Sequence, residues 1–255
     1  MTPQAFVERF GRERASAILR THDQEKAALA MEAAIRGGFR IVEFTLSIPG
    51  VFDLVREFAQ RADLVVGTGT VMDEIDARHS VAAGARFLVS PVVDEGVIAI
   101  AGELGVACMP GTHTPTEMLR AHRAGAQLCK LFPAPAGGPA WVRSVLAPLP
   151  YLKIVPTNGV DERNAAEWLG AGAFAGGFVG PLFDDLPILQ HQNEVGTPYR
   201  AQPMGDDKGR TPFHDGDHRL VDASLRLDVN AGRGVIEDQN RGVEQNGPRD
   251  RQALA

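Results

Sequence analysis

The sequence predicts a (β/α)8 TIM barrel over residues 1–183, followed by an irregular polar tail over 184–255 that we expect to be disordered. Short apolar runs alternate with amphipathic segments from Ala15 to about Phe183, and eight such units fit into about 170 residues. Many of the amphipathic segments end on glycine and lead directly into the next run. A doubly wound open sheet is the competing arrangement, because it uses the same alternation.

Eight runs have the length and the residue types of buried strands. In chain order, the predicted strands are Ala15–Arg20, Arg40–Thr45, Leu64–Thr68, Phe87–Ser90, Val106–Met109, Leu128–Phe132, Leu152–Val155 and Phe174–Val179. In a barrel, chemistry takes place where the strands run into the loops that follow them. The polar residues at those strand ends are therefore the candidates for function.

Helical patterns separate several of these strands. The predicted helices are Gln24–Arg36, Glu74–Ala83, Glu95–Leu104, Glu117–Ala124 and Arg163–Leu169. Each is followed directly by a glycine, which tolerates the left-handed backbone of a helix C-terminus.

Composition and charge exclude several classes of protein. The chain has 255 residues, of which 44% are hydrophobic and 23% charged, and a net charge of −6 without a long basic run. These values predict a folded protein that binds no nucleic acid. The first twenty residues are too charged for a signal peptide and no later stretch is long enough to span a membrane, so we expect a cytoplasmic protein. Cys108 and Cys129 lie in apolar runs and are interpreted as core thiols.

Lys130 is the first unusual residue, because it lies in a short apolar run that a proline ends, at Pro133. One interpretation is a snorkelling lysine whose stem packs on the sheet while its ammonium reaches water. The other is an amine held in a poorly hydrated pocket, which favours the neutral form that attacks a carbonyl carbon.

Glu43 is the second unusual residue, since it lies inside the apolar strand Arg40–Thr45. It could form a core ion pair with Arg20 or Lys130. Alternatively, it could serve as a general acid and base that faces Lys130 across the barrel. One buried carboxylate and one buried lysine indicate chemistry but do not specify a reaction.

A set of six motifs is more specific. The motifs are Gly37–Leu46, Val66–Val71, Phe87–Pro91, Met109–Glu117, Lys130–Ala134 and Val155–Val160. In order and spacing they resemble the KDPG/KHG aldolases, which cleave 2-keto-3-deoxy-6-phosphogluconate or 4-hydroxy-2-oxoglutarate to release pyruvate. The resemblance covers about residues 5 to 183. It implies a class I lyase of carbohydrate metabolism that acts on a small keto acid, needs no metal or other cofactor, and forms a homotrimer.

The resemblance also implies roles for single residues. Lys130 matches the lysine that forms the Schiff base, and Glu43 matches the general acid and base. Thr70 matches a threonine that holds the pyruvate carboxylate, and Pro91 and Phe132 match the walls of that pocket. Arg20 matches an arginine that some members carry at the end of the first strand.

Three departures concern the substrate contacts. Ser47 stands where many members carry an arginine, so Arg20 would hold the substrate carboxylate alone. The family's phosphate loop has the sequence Pro-Thr-Gly-Gly, and the matching residues here are Pro156-Thr157-Asn158-Gly159. The side chain of Asn158 leaves an anion less room to reach the backbone amides. Gly180 replaces a serine after the last strand. We therefore expect a weaker phosphate subsite, in which amides at Gly159 and Gly177 keep part of the binding.

The tail has no sustained helical or strand period, and the final helix expected of the family is not recognisable there. It is either a disordered extension or a stretch whose reading frame has been lost. The cluster His214–His218 resembles a metal site but lacks a scaffold, and the histidines of the barrel, at positions 22, 79, 113 and 122, lack metal-ligand spacing. We therefore predict no metal. The alternative to an enzyme is a non-catalytic or impaired barrel that binds a small anion.

Overall fold

The computed structural model describes residues 1–180. The predicted tail and its boundary at residue 183 lie outside these residues. Eight strands are present in the described part: β1 Ala15–Leu19, β2 Ile41–Thr45, β3 Val65–Gly69, β4 Phe87–Ser90, β5 Ala107–Thr112, β6 Cys129–Leu131, β7 Ile154–Pro156 and β8 Gly176–Val179. The helices there are α1 Pro3–Glu13, α2 Gln24–Arg36, α3 Val51–Phe58, α4 Glu74–Ala83, α5 Glu95–Glu103, α6 Pro115–Arg123, α7 Gly138–Leu146 and α8 Ala165–Gly170.

The strands form a parallel barrel in which each strand lies beside its neighbours in sequence, from β1 to β7. β8 returns to pair with β1. The barrel closes between β7 and β8 through a bridge of Thr157 with Gly177 and a hydrogen bond of 2.8 Å from the Phe174 amide to the Ile154 carbonyl. This strand order confirms the (β/α)8 barrel and excludes the doubly wound sheet.

Side chains alternate along each strand and so divide the core in two. One set packs outward between the strands and the helices, and the other fills the barrel interior. Helix α1 covers the amino-terminal end of the interior, where Phe6 and Phe10 are fully buried. The Phe6 ring stacks on Phe87 of β4 with a centroid separation of 4.7 Å. The opposite end, where the strands finish, is left for polar side chains.

Most predicted elements agree with the structure to within one or two residues. β5 is an exception, because it continues three residues beyond the predicted end at Met109, where Gly111 and Thr112 pair with β6. Helix α6 begins two residues before the predicted Glu117, because Thr114 and Glu117 form a capping box and Pro115 occupies the first turn. Helices α1, α3 and α7 are additional to the five predicted.

Candidate active site

Lys130 lies in the middle of β6 and faces the inside of the barrel. Its neighbours Cys129 and Leu131 belong to the outer core, so the alternation along the strand turns Lys130 inward. The residue is 8% exposed. Its side chain is 10% exposed, and its Nζ atom is directed toward the buried carboxyl group of Glu43.

Glu43 lies on β2 and faces Lys130 across the interior. The Oε1 atom of Glu43 is 3.8 Å from the Nζ atom of Lys130. Glu43 is only 1% exposed, and neither of its oxygens has a hydrogen-bond partner among residues 1–180. This separation is within the reach of one bridging water or a reacting substrate atom, as we expected for the pair.

The carboxyl of Glu43 has an altered proton affinity. Burial raises its pKa above the ordinary value, and the positive charges of Lys130 and Arg20 offset part of the rise. A carboxyl of this kind keeps its proton closer to neutral pH than an exposed glutamate does. It is therefore better suited than an exposed glutamate to hold and release a proton near neutral pH.

A glycine on the neighbouring strand makes room for this carboxylate. Gly69 ends β3 beside β2, and a Cβ atom there would lie 2.0 Å from Oε1 of Glu43. Any side chain at position 69 would displace the carboxylate. This role of Gly69 was not recognised from the sequence, although a glycine inside a strand is a known signal of a close backbone approach.

Arg20 and Thr70 lie together at the carboxyl-terminal rim of the barrel. The Nη2 atom of Arg20 donates a hydrogen bond of 3.2 Å to Oγ1 of Thr70. Thr70 has a φ of 64°, a left-handed conformation that is uncommon for threonine and that concentrates at functional sites. The structure thus brings together two residues that the sequence assigned to the substrate carboxylate.

Pro91 lies close to the strand beside Lys130, and Phe132 lies close to the Lys130 amine. Gly111 is paired with Lys130, and a Cβ atom on it would lie 2.1 Å from the Pro91 carbonyl oxygen, so the Pro91 backbone comes close to β5 at this level. The Phe132 ring centroid is 5.5 Å from the Nζ atom of Lys130. Phe132 therefore lies beside the amine, and the Pro91 backbone lies beside the strand that pairs with Lys130.

The residues predicted to bind phosphate lie around the β7–β8 closure. Thr157 is buried, and its Oγ1 lies 3.5 Å from the Leu131 carbonyl, to which it donates. Asn158 has a left-handed φ of 57° and Gly159 a φ of 103°. A Cβ atom on Gly177 would lie 2.3 Å from Cγ2 of Thr157, so the close contact between β7 and β8 requires glycine at position 177.

Gly180 contributes differently from the expectation for a phosphate ligand. Its amide donates a hydrogen bond of 3.0 Å to the carbonyl of Ile18 and thereby extends the pairing of β8 with β1. That amide is engaged in closing the barrel. Only a side chain at this position could therefore reach an anion, and glycine has none.

The part of the chain that the structure describes contains no group of three or more His, Cys, Asp or Glu side chains that could hold a metal ion. The cluster His214–His218 lies outside that part. Among the same residues, no helix has the length and apolar character needed to cross a membrane.

Cys108 and Cys129 are buried free thiols, and burial raises the pKa of each to about 12.

The arrangement is suited to carbonyl chemistry. It combines a buried amine, a buried carboxyl group with raised proton affinity, and an exposed cationic group at the rim. An amine in such a place can form an imine with a keto acid, and the carboxyl group can move the protons that this requires.

Comparison with known proteins gives consistent matches. The family model described as "KDPG and KHG aldolase" matches residues 8–194. A protein of Rhizobium meliloti named probable 2-dehydro-3-deoxy-6-phosphogalactonate aldolase is 35% identical over 170 residues, which are 66% of this chain and 80% of the relative. A 2-dehydro-3-deoxy-phosphogluconate aldolase of Pseudomonas aeruginosa is 34% identical over 152 residues, which are 58% of this chain and 69% of the relative.

The solved structures agree. A structure titled "Native KDPGal structure" superposes with a TM-score of 0.66 and 27% identity, and the match covers 88% of this chain and 96% of that one. The likeness therefore extends over nearly the whole length of a single solved chain.

Proposed function

We propose that this chain, which belongs to the KDPG and KHG aldolase family, cleaves 2-keto-3-deoxy-6-phosphogluconate, 4-hydroxy-2-oxoglutarate or both into pyruvate and an aldehyde. Its relatives are named aldolases, and the chain is an enzyme of the class I aldolase type. The observation that carries the proposal is the 3.8 Å separation between the buried Lys130 amine and the buried Glu43 carboxyl group.

The first half of the proposed reaction joins substrate to protein. The neutral amine of Lys130 adds to the C2 carbonyl carbon of the keto acid and forms a carbinolamine. Glu43, whose carboxyl group has a raised pKa, gives a proton to the departing hydroxyl, which leaves as water. The product is an iminium on Lys130.

The second half breaks the carbon–carbon bond. Glu43, now a carboxylate, takes the proton of the C4 hydroxyl, and the C3–C4 electron pair moves toward the iminium nitrogen. The aldehyde leaves and an enamine remains on Lys130. Glu43 returns the proton to C3, and water then hydrolyses the iminium to release pyruvate and the free amine. The cycle is complete without a metal or other cofactor.

The rim residues would hold the substrate carboxylate. Arg20 carries the positive charge and Thr70 lies 3.2 Å from it, so the two present a cationic and a hydroxyl donor on one side of the pocket. Ser47 accepts or donates a 2.8 Å hydrogen bond with Thr45 on the same strand end and brings no charge. Arg20 is therefore the proposed anchor for the carboxylate.

We expect the aldehyde end of the substrate to be bound less specifically. Asn158 adds a side chain to the phosphate loop, and Gly180 lacks a hydroxyl and uses its amide to pair with Ile18. Preference for the phosphorylated six-carbon acid over short 4-hydroxy-2-oxo acids should therefore be modest.

Substrate choice is tested by comparing kcat/KM for 2-keto-3-deoxy-6-phosphogluconate, its galactonate counterpart and 4-hydroxy-2-oxoglutarate. The comparison is repeated in the double variant Asn158→Gly, Gly180→Ser. We expect the double variant to raise the preference for the phosphorylated acids by about tenfold, as one restored hydrogen bond to a charged group can do. A parent that already prefers them by several orders of magnitude, with no gain in the variant, would contradict the assignment of these positions.

We also propose a cytoplasmic homotrimer. Large apolar side chains are exposed at the rim after β3 and β4: Met72 is 48%, Ile75 65% and Val92 50% exposed. A contact between subunits would cover such a surface.

Sedimentation should show a trimer for the parent and a smaller species for Ile75→Asp, whereas Tyr151→Asp, at the other end of the barrel, should leave the trimer intact. A monomeric parent, or a trimeric Ile75→Asp, would refute this assembly.

A further inference from the structure

Three hydrogen bonds tie the end of β6 to the end of β5. Oγ1 of Thr112 donates to the Lys130 carbonyl at 3.0 Å, and the Phe132 amide donates to the Thr112 carbonyl at 3.0 Å. The third joins Nδ1 of His113 to the Pro133 carbonyl, also at 3.0 Å. The segment that carries Lys130 is thus held from one side by two consecutive residues of β5 and its loop.

The third bond is made by a side chain, beyond the backbone hydrogen bond from Phe132 to Thr112. The Pro133 carbonyl can only accept, which means that Nδ1 of His113 carries the hydrogen, in the neutral Nδ1–H tautomer or in the imidazolium. Either form donates this bond.

His113 is itself held in place by the start of α6. Oε2 of Glu117 accepts hydrogen bonds of 2.8 Å from the amides of His113 and Thr114, and Oγ1 of Thr114 accepts from the Glu117 amide at 3.2 Å. The backbone of His113 is therefore fixed by a capping box, and its ring is presented to the neighbouring loop from a rigid base.

The bond lies next to the proposed chemistry without touching it. Pro133 follows Phe132, whose ring centroid is 5.5 Å from the Nζ atom of Lys130 and forms one wall of the pocket. Restraining the Pro133 carbonyl limits the movement of Phe132 on one side, and the Phe132 amide bond to Thr112 limits it on the other.

We propose that His113 is a positioning residue for the aldolase reaction, which holds Phe132 against the Lys130 amine through its hydrogen bond to the Pro133 carbonyl. This inference rests on the proposed function. His113 acts on the rate of imine formation through the shape of the pocket, and it exchanges no proton with the substrate.

Three substitutions separate the hydrogen bond from the bulk of the ring. In His113→Asn the side-chain amide nitrogen occupies about the place of Nδ1 and can donate to Pro133. In His113→Gln the nitrogen occupies about the place of Nε2, and in His113→Leu there is no donor. We expect the rate of pyruvate adduct formation at Lys130, measured by borohydride trapping, to fall by about tenfold in His113→Leu and His113→Gln and to stay within about twofold in His113→Asn.

A second measurement does not depend on activity. Amide hydrogen exchange at Phe132 should become at least about tenfold faster in His113→Leu than in the parent, and His113→Asn should restore it. If exchange at Phe132 is unchanged in His113→Leu, the hydrogen bond from His113 to Pro133 does not restrain Phe132, and the proposal is overturned. If all three variants lose rate and thermal stability equally, His113 is only a packing residue and the proposal is also overturned.

The outcome is distinguishable from a failure of the proposed function. A parent protein that forms no pyruvate adduct contradicts the aldolase reaction, whereas the exchange of the Phe132 amide still decides whether His113 restrains this loop. A parent that forms the adduct, together with a His113→Leu variant that forms it equally fast, contradicts the positioning role alone.

Discussion

A glutamate and a lysine that lie within 4 Å of each other inside a barrel oppose folding as well as enabling chemistry. Both oxygens of Glu43 lack a hydrogen-bond partner among the described residues, and burial raises the pKa of this carboxyl above its ordinary value of 4.5. The folded state therefore prefers the protonated form. Ionised Glu43 destabilises the folded protein, and destabilising groups of this kind are found mainly at functional sites.

The stability of Glu43→Gln should depend on pH in a defined direction. The folded pKa of Glu43 is raised, so its favourable contribution is complete below the unfolded value and is lost as pH rises through the folded value. Glutamine does not titrate. We therefore expect the variant to gain stability relative to the parent as pH rises above about 4.5, as measured by urea unfolding. Turnover should fall by about a hundredfold or more, while some pyruvate adduct at Lys130 still forms.

Glu117→Gln is the control of opposite sign. Backbone hydrogen bonds from His113 and Thr114 lower the pKa of Glu117, so its contribution is present above the unfolded value and is lost as pH falls. This variant should lose stability relative to the parent as pH rises toward about 4.5, and the loss should then stay constant at higher pH. If both variants shifted in the same direction, the account of the Glu43 environment would be wrong.

Gly69→Ala tests whether the position of the Glu43 carboxylate matters. A Cβ atom at this site would lie 2.0 Å from Oε1 of Glu43, so the carboxylate must move. We expect kcat/KM to fall by about a hundredfold, which is the effect of a misplacement of about 1 Å. The matched change Gly102→Ala, in helix α5 with no atom within 4 Å of the new Cβ, should leave kcat/KM unchanged and stabilise the fold by about 0.5–1 kcal/mol. Equal kinetics in the two variants would contradict the role of Gly69.

At the scale of elements, helix α1 closes the barrel end that the chemistry does not use. Phe6 is fully buried and stacks on Phe87 of β4, whose ring in turn occupies the space left by Gly67 on β3. One helix and two strands therefore interlock below the site. The rings of Phe6 and Phe87 therefore fill this end of the barrel interior, and the inward side chains of the site lie above them.

Phe6→Ala should be among the most destabilising single changes in the described part of the chain. We expect a loss of about 3–5 kcal/mol in the free energy of unfolding, because the cavity opens inside a closed barrel. Phe52→Ala, at a half-buried site of α3 where the ring contacts His79, should cost less than about 2 kcal/mol. Urea unfolding of both variants measures the difference, and equal losses would show that α1 is not part of the core.

The sequence predicted the elements whose signals are local. Helices α2 and α4 begin and end where their patterns indicated, because a capping aspartate precedes each and a glycine follows it. Strand β4 has the bounds of its apolar run. The end of β5 was not predictable in this way, since Gly111 and Thr112 become strand only through pairing with β6. Helix α3 was not predicted because it follows a left-handed glycine, Gly50, with no side-chain cap.

The site residues also divide into those with a local sequence signal and those without one. Lys130 and Glu43 were recognisable as charges in apolar runs, and the structure places them on facing strands. Gly69 and His113 were not recognised, because their importance depends on which atoms of another strand or loop lie beside them. Contacts between distant parts of the chain are the information that a linear pattern lacks.

At the scale of the whole molecule, closure of the barrel assembles the site. The rim pair comes from β1 and the β3 end, the carboxylate from β2, and the amine from β6. The seam between β7 and β8 completes the ring through the bridge of Thr157 with Gly177. No single βα unit contains the chemistry, so the fold must close before the amine and the carboxyl group face each other.

The most direct test of the account is to incubate the full chain with pyruvate and borohydride and to locate the reduced adduct by peptide mass. The chain has three other lysines, Lys26, Lys153 and Lys208, as internal controls. We predict one reduced pyruvyl group, on Lys130, and none in a folded Lys130→Met variant, which also loses aldol cleavage. An adduct on another lysine, no adduct at all, or substantial turnover by Lys130→Met would contradict the central claim.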